Sequence, residues 1–600
     1  MKNLFIKLSI LIVVMVVGYS CKKGLDYRNN RAIDPAAVWT NASAIQGFLS
    51  DIYGSSMPGW PLGSGQNSDE GINAPKTLTN YQKGVISVST TTVSLSYGTI
   101  EKCNFLMDQL AKVPTSVLST ALNNQYTGEA KFWRAWSYWG MVRYLGGVPL
   151  ILHTQNYQDT ASLKVPRSKT SDCIAQIIKD LDSAILLLPT ATQYSAADYG
   201  RITKAAAMGL KGRILMWWAS PLFNPTNDQT RWENAYDACN AAVQEASSEG
   251  YGLLDNYRDI WYSGNKELIM VNQYYYPDHY MNFAPIRAYA STNGAANSDQ
   301  PLLSLLLAYP KRDGSPMEFD KTQLSNPAYN AQFLTDFYLN RDDRFYATVY
   351  FGGTPYPMPE TKDRTWWAAW QWDAVNNKYN SISASPTYTL PFDAGITGFF
   401  DRKGLDTSIT GAQVPFGAPS AKSWWSPMRY AELLMNYAEC ANEIGKSSEA
   451  LNVLYQIRAR ANISPGPGGN YGITATTQAD IRTAIMNERQ VEFAFEGFRA
   501  EDLRRWKRYD ILNNEGARHG LYVTLNPGAP LPTEQQSILD PAVRANFSAV
   551  YIDNLDGDPN YKFNYDLNHW FYAIPPSQIS QEPAMLPQNK DWGGTFDPLQ

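Results

Sequence analysis

Residues Asn487 to Trp506 read NERQVEFAFEGFRAEDLRRW, and no other twenty residues of this 600-residue chain say as much about its fold. Three Phe and a Trp stand among Glu488, Arg489, Glu492, Glu496, Arg499, Glu501, Asp502, Arg504 and Arg505, with Gly497 in the middle. Opposite charges lie three or four residues apart (Arg489/Glu492, Glu496/Arg499, Arg499/Asp502, Glu501/Arg505), the spacing that brings side chains together on one helix face. Val491, Phe495 and Phe498 share that spacing and form an apolar stripe. The local pattern predicts a salt-bridged amphipathic helix.

Outward from this stretch, helical patterns dominate. Ile45, Phe48, Leu49, Ile52 and Tyr53 recur at helical spacing, as do Ile100, Cys103, Leu106, Met107 and Leu110. Leu122 to Tyr144 predicts a long aromatic helix, stopped by Gly146-Gly147 and Pro149. Ile174, Ile177, Ile178, Leu181, Ile185 and Leu188 form the cleanest stripe, with Ser171 or Asp172 as the expected N-cap. Thr203 to Ala219 and Trp232 to Ala246 form a helical pair. Arg429 to Ala461 forms another, joined at Gly445-Lys446-Ser447-Ser448 and close to one tetratricopeptide unit of about 34 residues. Between Leu253 and Lys422 the helical pattern fades into short β-like runs, Leu268 to Tyr276 and Phe345 to Phe351 among them. The segment is too long for a structureless loop and reads as a folded insertion. The last eighty residues read mostly as loop around the apolar run Trp570 to Ile574.

At the N-terminus, Lys2 and Lys7 precede an apolar run, Leu8 to Val17, that is about half the ~20 residues a transmembrane helix needs. Gly18-Tyr19-Ser20-Cys21 follows, reading as a lipoprotein signal peptide over 1–20 with Cys21 as the acylated residue. Cys103, Cys173, Cys239 and Cys440 fall singly within helical patterns, as small buried hydrophobes do. A net charge of −5 argues against nucleic acid as a partner. Aromatic content is high, with 18 Trp and 38 Tyr.

Motifs for chemistry do not assemble. His153, His279, His519 and His569 are scattered, with no paired metal ligands. There is no P-loop, dinucleotide fingerprint or GxSxG elbow. Asp553, Asp556, Gly557 and Asp558 lack the spacing of a calcium loop. A glycosidase needs two carboxylates at a set separation, and nothing in the sequence singles out such a pair. The expectation is a protein that is not an enzyme and uses neither cofactor nor metal.

The order of residues in Asn487 to Trp506 closely resembles the C-terminal signature of the SusD/RagB family. Further stretches are similar in the expected order: Cys21 to Asp26, Ser68-Asp69-Glu70, Gly128 to Leu150 (GEAKFWRAWSYWGMVRYLGGVPL), Arg201 to Leu215, Asp342 to Phe345, Tyr430 to Glu439 and Ala573 to Asn589. The resemblance implies a mainly α fold, a right-handed superhelix of tetratricopeptide-like hairpins carrying a large irregular insertion with short strands. The expected divisions are a helical region over 21–250, a ligand-binding insertion over 251–428 and a helical region with a Pro/Asn-rich tail over 429–600. It further implies an outer-membrane lipoprotein, held by acyl chains such as palmitate on Cys21 and facing the cell exterior. Lys22 and Lys23 stand where such surface lipoproteins often carry acids. The implied function is glycan capture for a SusC-like TonB-dependent transporter, the alternatives being a secreted glycan-active hydrolase and a tetratricopeptide scaffold for protein partners.

Sugar rings present flat C–H faces rimmed by hydroxyls, so a site wants exposed aromatics beside a few polar groups. Trp366, Trp367 and Trp370, with Trp372 next to them, form the densest aromatic cluster, flanked by Asp363, Arg364 and Asp373. Trp60 and Tyr274, Tyr275 and Tyr276 are further candidates, and the family-like Ser-Asp-Glu suggests Asp69 as a polar partner.

Overall fold

The computed structural model describes residues 35–73, 76, 78–262, 264–275, 279, 299–355, 359–384, 395–408, 410 and 423–600. Its frame is a stack of helical hairpins. Helices α1 (Ala42–Ser56), α2 (Gly98–Leu110), α3 (Thr120–Leu145), α4 (Thr170–Leu187), α5 (Lys204–Ala219) and α6 (Gln229–Ser248) follow one another in sequence, each packing on the next or next but one. Helix α6 then packs against Tyr430–Glu443, which in turn packs on Ser447–Arg460. The superhelix is therefore continuous in space although a long segment interrupts it in sequence. Small residues allow the close approach. A Cβ on Gly212 of α5 would stand 3.0 Å from Cys239 Sγ and 3.3 Å from its backbone on α6.

Some of these helices are capped by their own local side chains and others are not. Ser119 accepts from the Leu122 N–H to start α3, and Thr203 accepts from the Ala206 N–H to start α5. Neither Ser171 nor Asp172 caps α4, which begins at Thr170 without a side-chain cap from Lys169. The C-terminal tail covers that end instead. Ser171 N–H donates to the Gln600 carbonyl at 2.9 Å, and the Thr170 hydroxyl donates to the Pro598 carbonyl at 2.8 Å. Cys103, Cys173, Cys239 and Cys440 are buried free thiols.

Within 251–428 the described residues are more regular than expected. They include β1 (Leu268–Asn272), helix α7 (Pro327–Tyr338), helix α8 (Asp343–Thr348), β2 (Val349–Phe351), β3 (Thr354–Pro355), β4 (Thr365–Asp373), β5 (Lys378–Ala384), β6 (Phe399–Asp401) and β7 (Trp425–Arg429). The β-like run Phe345 to Phe351 thus begins as helix, because Asp342 accepts from the Arg344 N–H and caps α8. Strand β4 pairs antiparallel with β3 and β5 and parallel with β8 (Gly520–Leu525), which pairs with β9 (Phe547–Ile552). The segment and the C-terminal region share a core in which Trp367, Phe345 and Phe337 join Val491, Phe495, Leu521 and Val523.

The charged signature is a helix–turn–helix. Tyr430–Glu443 is α9 and Ser447–Arg460 is α10; α11 (Gln478–Glu492) then ends, and α12 (Arg499–Arg505) starts anew. Phe495 at φ 60° and Gly497 at φ 80° make the break, a left-handed backbone that an uninterrupted helix excludes. The single-helix expectation fails there. Its charges reach across the molecule: Glu492 meets Arg344, Arg429 and Arg460, Glu496 meets Lys403 and Arg429, and Arg489 and Arg505 share Asp502.

Candidate functional site

A cleft of about 450 Å³ opens where three parts of the chain meet. Helix α1 supplies Gln46, Ser50 and Tyr53, the loop between α4 and α5 supplies Asp198, Tyr199 and Arg201, and β1 with its continuation supplies Asn272, Gln273, Tyr275 and His279. Two aromatic rings stand open here, Tyr199 at 43% exposure and Tyr275 at 54%. Each is backed by other rings. Tyr199 leans on Trp424 at 5.7 Å, and the Trp424 indole donates to the Tyr274 carbonyl at 3.2 Å. Tyr274 stacks flat on His279 at 4.9 Å, and a His279 nitrogen meets Asn272 Oδ1 at 2.8 Å. Gly200, at φ 94°, leaves no room for a Cβ because the Gln273 amide crosses it to donate to the Tyr199 carbonyl at 2.7 Å.

The polar wall is built on a buried carboxylate. Arg201 Nη1 donates to both oxygens of Glu129, at 3.0 and 2.8 Å, and its Nε donates to Asp198 at 3.1 Å. The Tyr53 hydroxyl donates to the same Glu129 at 2.6 Å. Burial, then Glu129, push the Tyr53 hydroxyl well above its ordinary pKa, so it remains a donor. Burial would lower the Arg201 pKa, but the Glu129 charge outweighs it and keeps the guanidinium charged. Arg201 lines the cleft, and with Nε and Nη1 so engaged its Nη2 makes no hydrogen bond to a described residue. Two exposed rings beside a fixed guanidinium, an amide and a carboxylate can stack on a flat apolar face and hydrogen-bond its rim.

The sequence-derived candidates divide by burial. Tyr275 lines the cleft and Tyr274 stands behind it. Trp60 is half-buried, packed on Trp261 at 5.0 Å and Trp425 at 4.8 Å, and its backbone hydrogen-bonds the Tyr274 hydroxyl. It braces the wall from behind. Tyr276 and Cys21 lie outside the described residues. The tryptophan cluster is a correction. Trp366, Trp367 and Trp370 are only 2%, 1% and 7% exposed, so they cannot serve as open platforms. Trp366 stacks on Tyr350 at 5.5 Å, Trp367 on Phe547 at 5.3 Å and Trp370 on Tyr522 at 3.9 Å. Trp372 is the exposed ring of the cluster, at 44%. Asp69 is also corrected. It is buried and held by Arg499 through two hydrogen bonds of 2.8 and 2.7 Å, which leaves it no role at a surface site. Sequence reasoning missed Tyr199 and Arg201. Their signal was an aromatic and a cation in a polar loop, outside any apolar stripe.

Fold and cleft define a helical-repeat module with an aromatic, ligand-sized cleft. Residues 232–592 match the SusD family model, and residues 68–216 match the model described as starch-binding associating with outer membrane. The first match alone spans more than half of the chain, and the protein belongs to the SusD/RagB family. It is similar to SusD-like protein P38 of Formosa agariphila, with 22% identity over 532 residues, covering 84% of this chain and 91% of that one. A solved SusD-like protein from Bacteroides fragilis superposes with a TM-score of 0.65 at 23% identity, covering 93% of this chain and 98% of the other. A SusD-like carbohydrate-binding protein from the same organism gives 0.64 at 20% identity, covering 92% and 100%. These likenesses fix the fold as the tetratricopeptide-like helical fold of SusD-like proteins.

Proposed function

We propose that this protein binds a glycan, without cleaving it, in the cleft between Tyr199 and Tyr275. The observation that carries the reading is the meeting of those two exposed rings with the guanidinium of Arg201. The starch-binding description of the matching family and the carbohydrate-binding relative support the ligand class. Covering about 100 Å² on each ring contributes about 5 kcal/mol for the pair. A charge-assisted hydrogen bond from Arg201 adds about 1.5–3 kcal/mol. After association costs, this corresponds to millimolar to micromolar affinity.

Calorimetric titration against an oligosaccharide panel tests this. Tyr275→Ala should weaken binding about tenfold, or 1.4 kcal/mol, with an unchanged melting temperature. Wild-type affinity in both Tyr275→Ala and Tyr199→Ala would overturn the assignment of the cleft. Glycan chains recovered shortened after incubation would overturn the non-catalytic reading.

In this reading the protein is an outer-membrane lipoprotein, acylated on Cys21, that passes glycan to a SusC-like TonB-dependent transporter. The short apolar run before Cys21 and the outer-membrane description of the family support it. Cys21→Ala should move the protein from the membrane to the soluble fraction; quantitative pelleting of that variant with outer membranes would refute the anchor. A transporter barrel should co-purify with the wild type after gentle detergent extraction, and its consistent absence would count against the delivery step.

A further inference from the structure

Beside the turn Tyr257–Trp261 lies a separate pocket of about 440 Å³, lined by Tyr257, Arg258, Tyr346, Arg402 and Arg460 among others. Two of its three arginines, Arg258 and Arg402, make no ion pair with a described residue, whereas many arginines of this protein are paired. Arg344, Arg429, Arg489 and Arg505 each face a carboxylate within hydrogen-bond distance. The Arg402 side chain is largely buried and makes neither an ion pair nor a hydrogen bond with a described residue. The charged group acting on it is another cation, Arg258, with the hydroxyls of Tyr350 and Tyr262 as its other neighbours. Burial, then Arg258, bring the Arg402 pKa down to about 10. Arg258 itself is exposed at the rim and hydrogen-bonds the Tyr262 hydroxyl. Arg460 turns its terminal nitrogens to Glu267 and Glu492, but its Nε is buried without a partner.

The carboxylates of this pocket are engaged or remote. Asp343 is held by Arg312 and Asn462, and the fully exposed Asp255 stands 3.5 Å from Lys266. An unpaired cation partly withdrawn from water is destabilised, and a second like charge beside it adds to that. An incoming oxyanion offsets both costs, because a guanidinium presents forked donors that match carboxylate, sulfate or phosphate oxygens. The volume exceeds that of a bare ion and falls within the ~300–1,000 Å³ of small-molecule sites. Tyr257 and Tyr346 supply walls for a ring or chain bearing the charge.

We propose that the pocket formed by Arg258, Arg402 and Arg460 is an oxyanion site, taking a small ligand that carries a sulfate, phosphate or carboxylate group. The site stands apart from the cleft at Tyr275 and does not depend on it. The mature protein is titrated calorimetrically, at constant ionic strength, with inorganic sulfate, inorganic phosphate, glucuronate and glucose 6-sulfate, with glucose as the neutral control. At least one anion should bind at a single site at which glucose does not compete. Tighter binding of glucose 6-sulfate or glucuronate than of the inorganic ions identifies a sugar-borne anion, and the reverse identifies a free one. Arg402→Gln should weaken binding about tenfold or more while leaving unliganded thermal stability equal or higher, since it removes an unpaired charge. Arg258→Gln, at the exposed rim, should weaken binding severalfold with no change in melting. No binding of any of the four anions up to about 10 mM overturns the proposal. So does wild-type affinity in both variants, and a lower melting temperature with unchanged affinity in Arg402→Gln would make that side chain structural.

Discussion

Arg499 grips the Asp69 carboxylate with parallel hydrogen bonds of 2.8 and 2.7 Å, and both side chains are buried. Burial lowers the Arg499 pKa, and Asp69 more than restores it. Such a pair gives little net stability over an apolar one, but breaking it strands a charge at about 3–5 kcal/mol. Arg499→Ala should therefore lower unfolding free energy by about that amount in chemical denaturation while glycan affinity per folded molecule stays intact. Loss of affinity with unchanged stability would instead make the segment around Arg499 a ligand site. The partner could not be read from sequence. Asp502, three residues away, has the right spacing but is taken by Arg489 and Arg505, whereas Asp69 lies 430 residues away.

Along strand β4, position decides what a Trp does. Successive side chains on a strand point to opposite faces, so Trp366 and Trp367 cannot form one platform. Trp367→Ala opens a cavity against Phe547 and should cost about 3–5 kcal/mol. Trp372→Ala at the exposed end gives up an edge contact with Tyr379 at 4.8 Å and should cost about 1.5 kcal/mol or less. Calorimetric unfolding of the two variants tests the gradient, and equal losses would refute the burial of Trp367. The same logic explains what the sequence made legible. Helices α1, α2 and α4 were readable because a 3.6-residue apolar stripe records burial directly, as Ile174, Ile177 and Leu181 do on α4. The break within the signature was not, since Phe495 occupies a left-handed conformation that its residue type disfavours. In the candidate site, the tyrosine run after β1 was visible as an aromatic cluster. Arg201 was not, because Glu129, which aims it, lies 72 residues away on α3.

For the molecule as a whole, two opposed sets of buried carboxyls set the response to pH. Burial alone would raise Glu488, Glu492, Glu501 and Asp502, but adjacent guanidiniums outweigh it and hold all four below their ordinary range. Their contribution to stability is present above the unfolded pKa and is lost as pH falls through the folded one. Glu70, Glu129 and Glu249 move the other way, raised first by burial and in Glu70 also by Asp69. Their contribution is complete below the unfolded pKa and is lost as pH rises through the folded one. With unfolded carboxyls near ~4, stability should climb as pH falls toward the carboxyl range and fall steeply once pH drops through it. Glu70 isolates the first limb, for its Oε1 is buried without a hydrogen-bond partner and the uncharged Gln resembles its protonated form. Glu70→Gln should melt higher than the wild type at about pH 8 and show a flatter profile down to about pH 5, read by scanning calorimetry across that range. A wild type with no slope between those limits, or a variant that melts lower at the alkaline end, would mean that Glu70 is ionised in the native protein and that Arg499 and Lys403, the two cations acting on it, outweigh its burial.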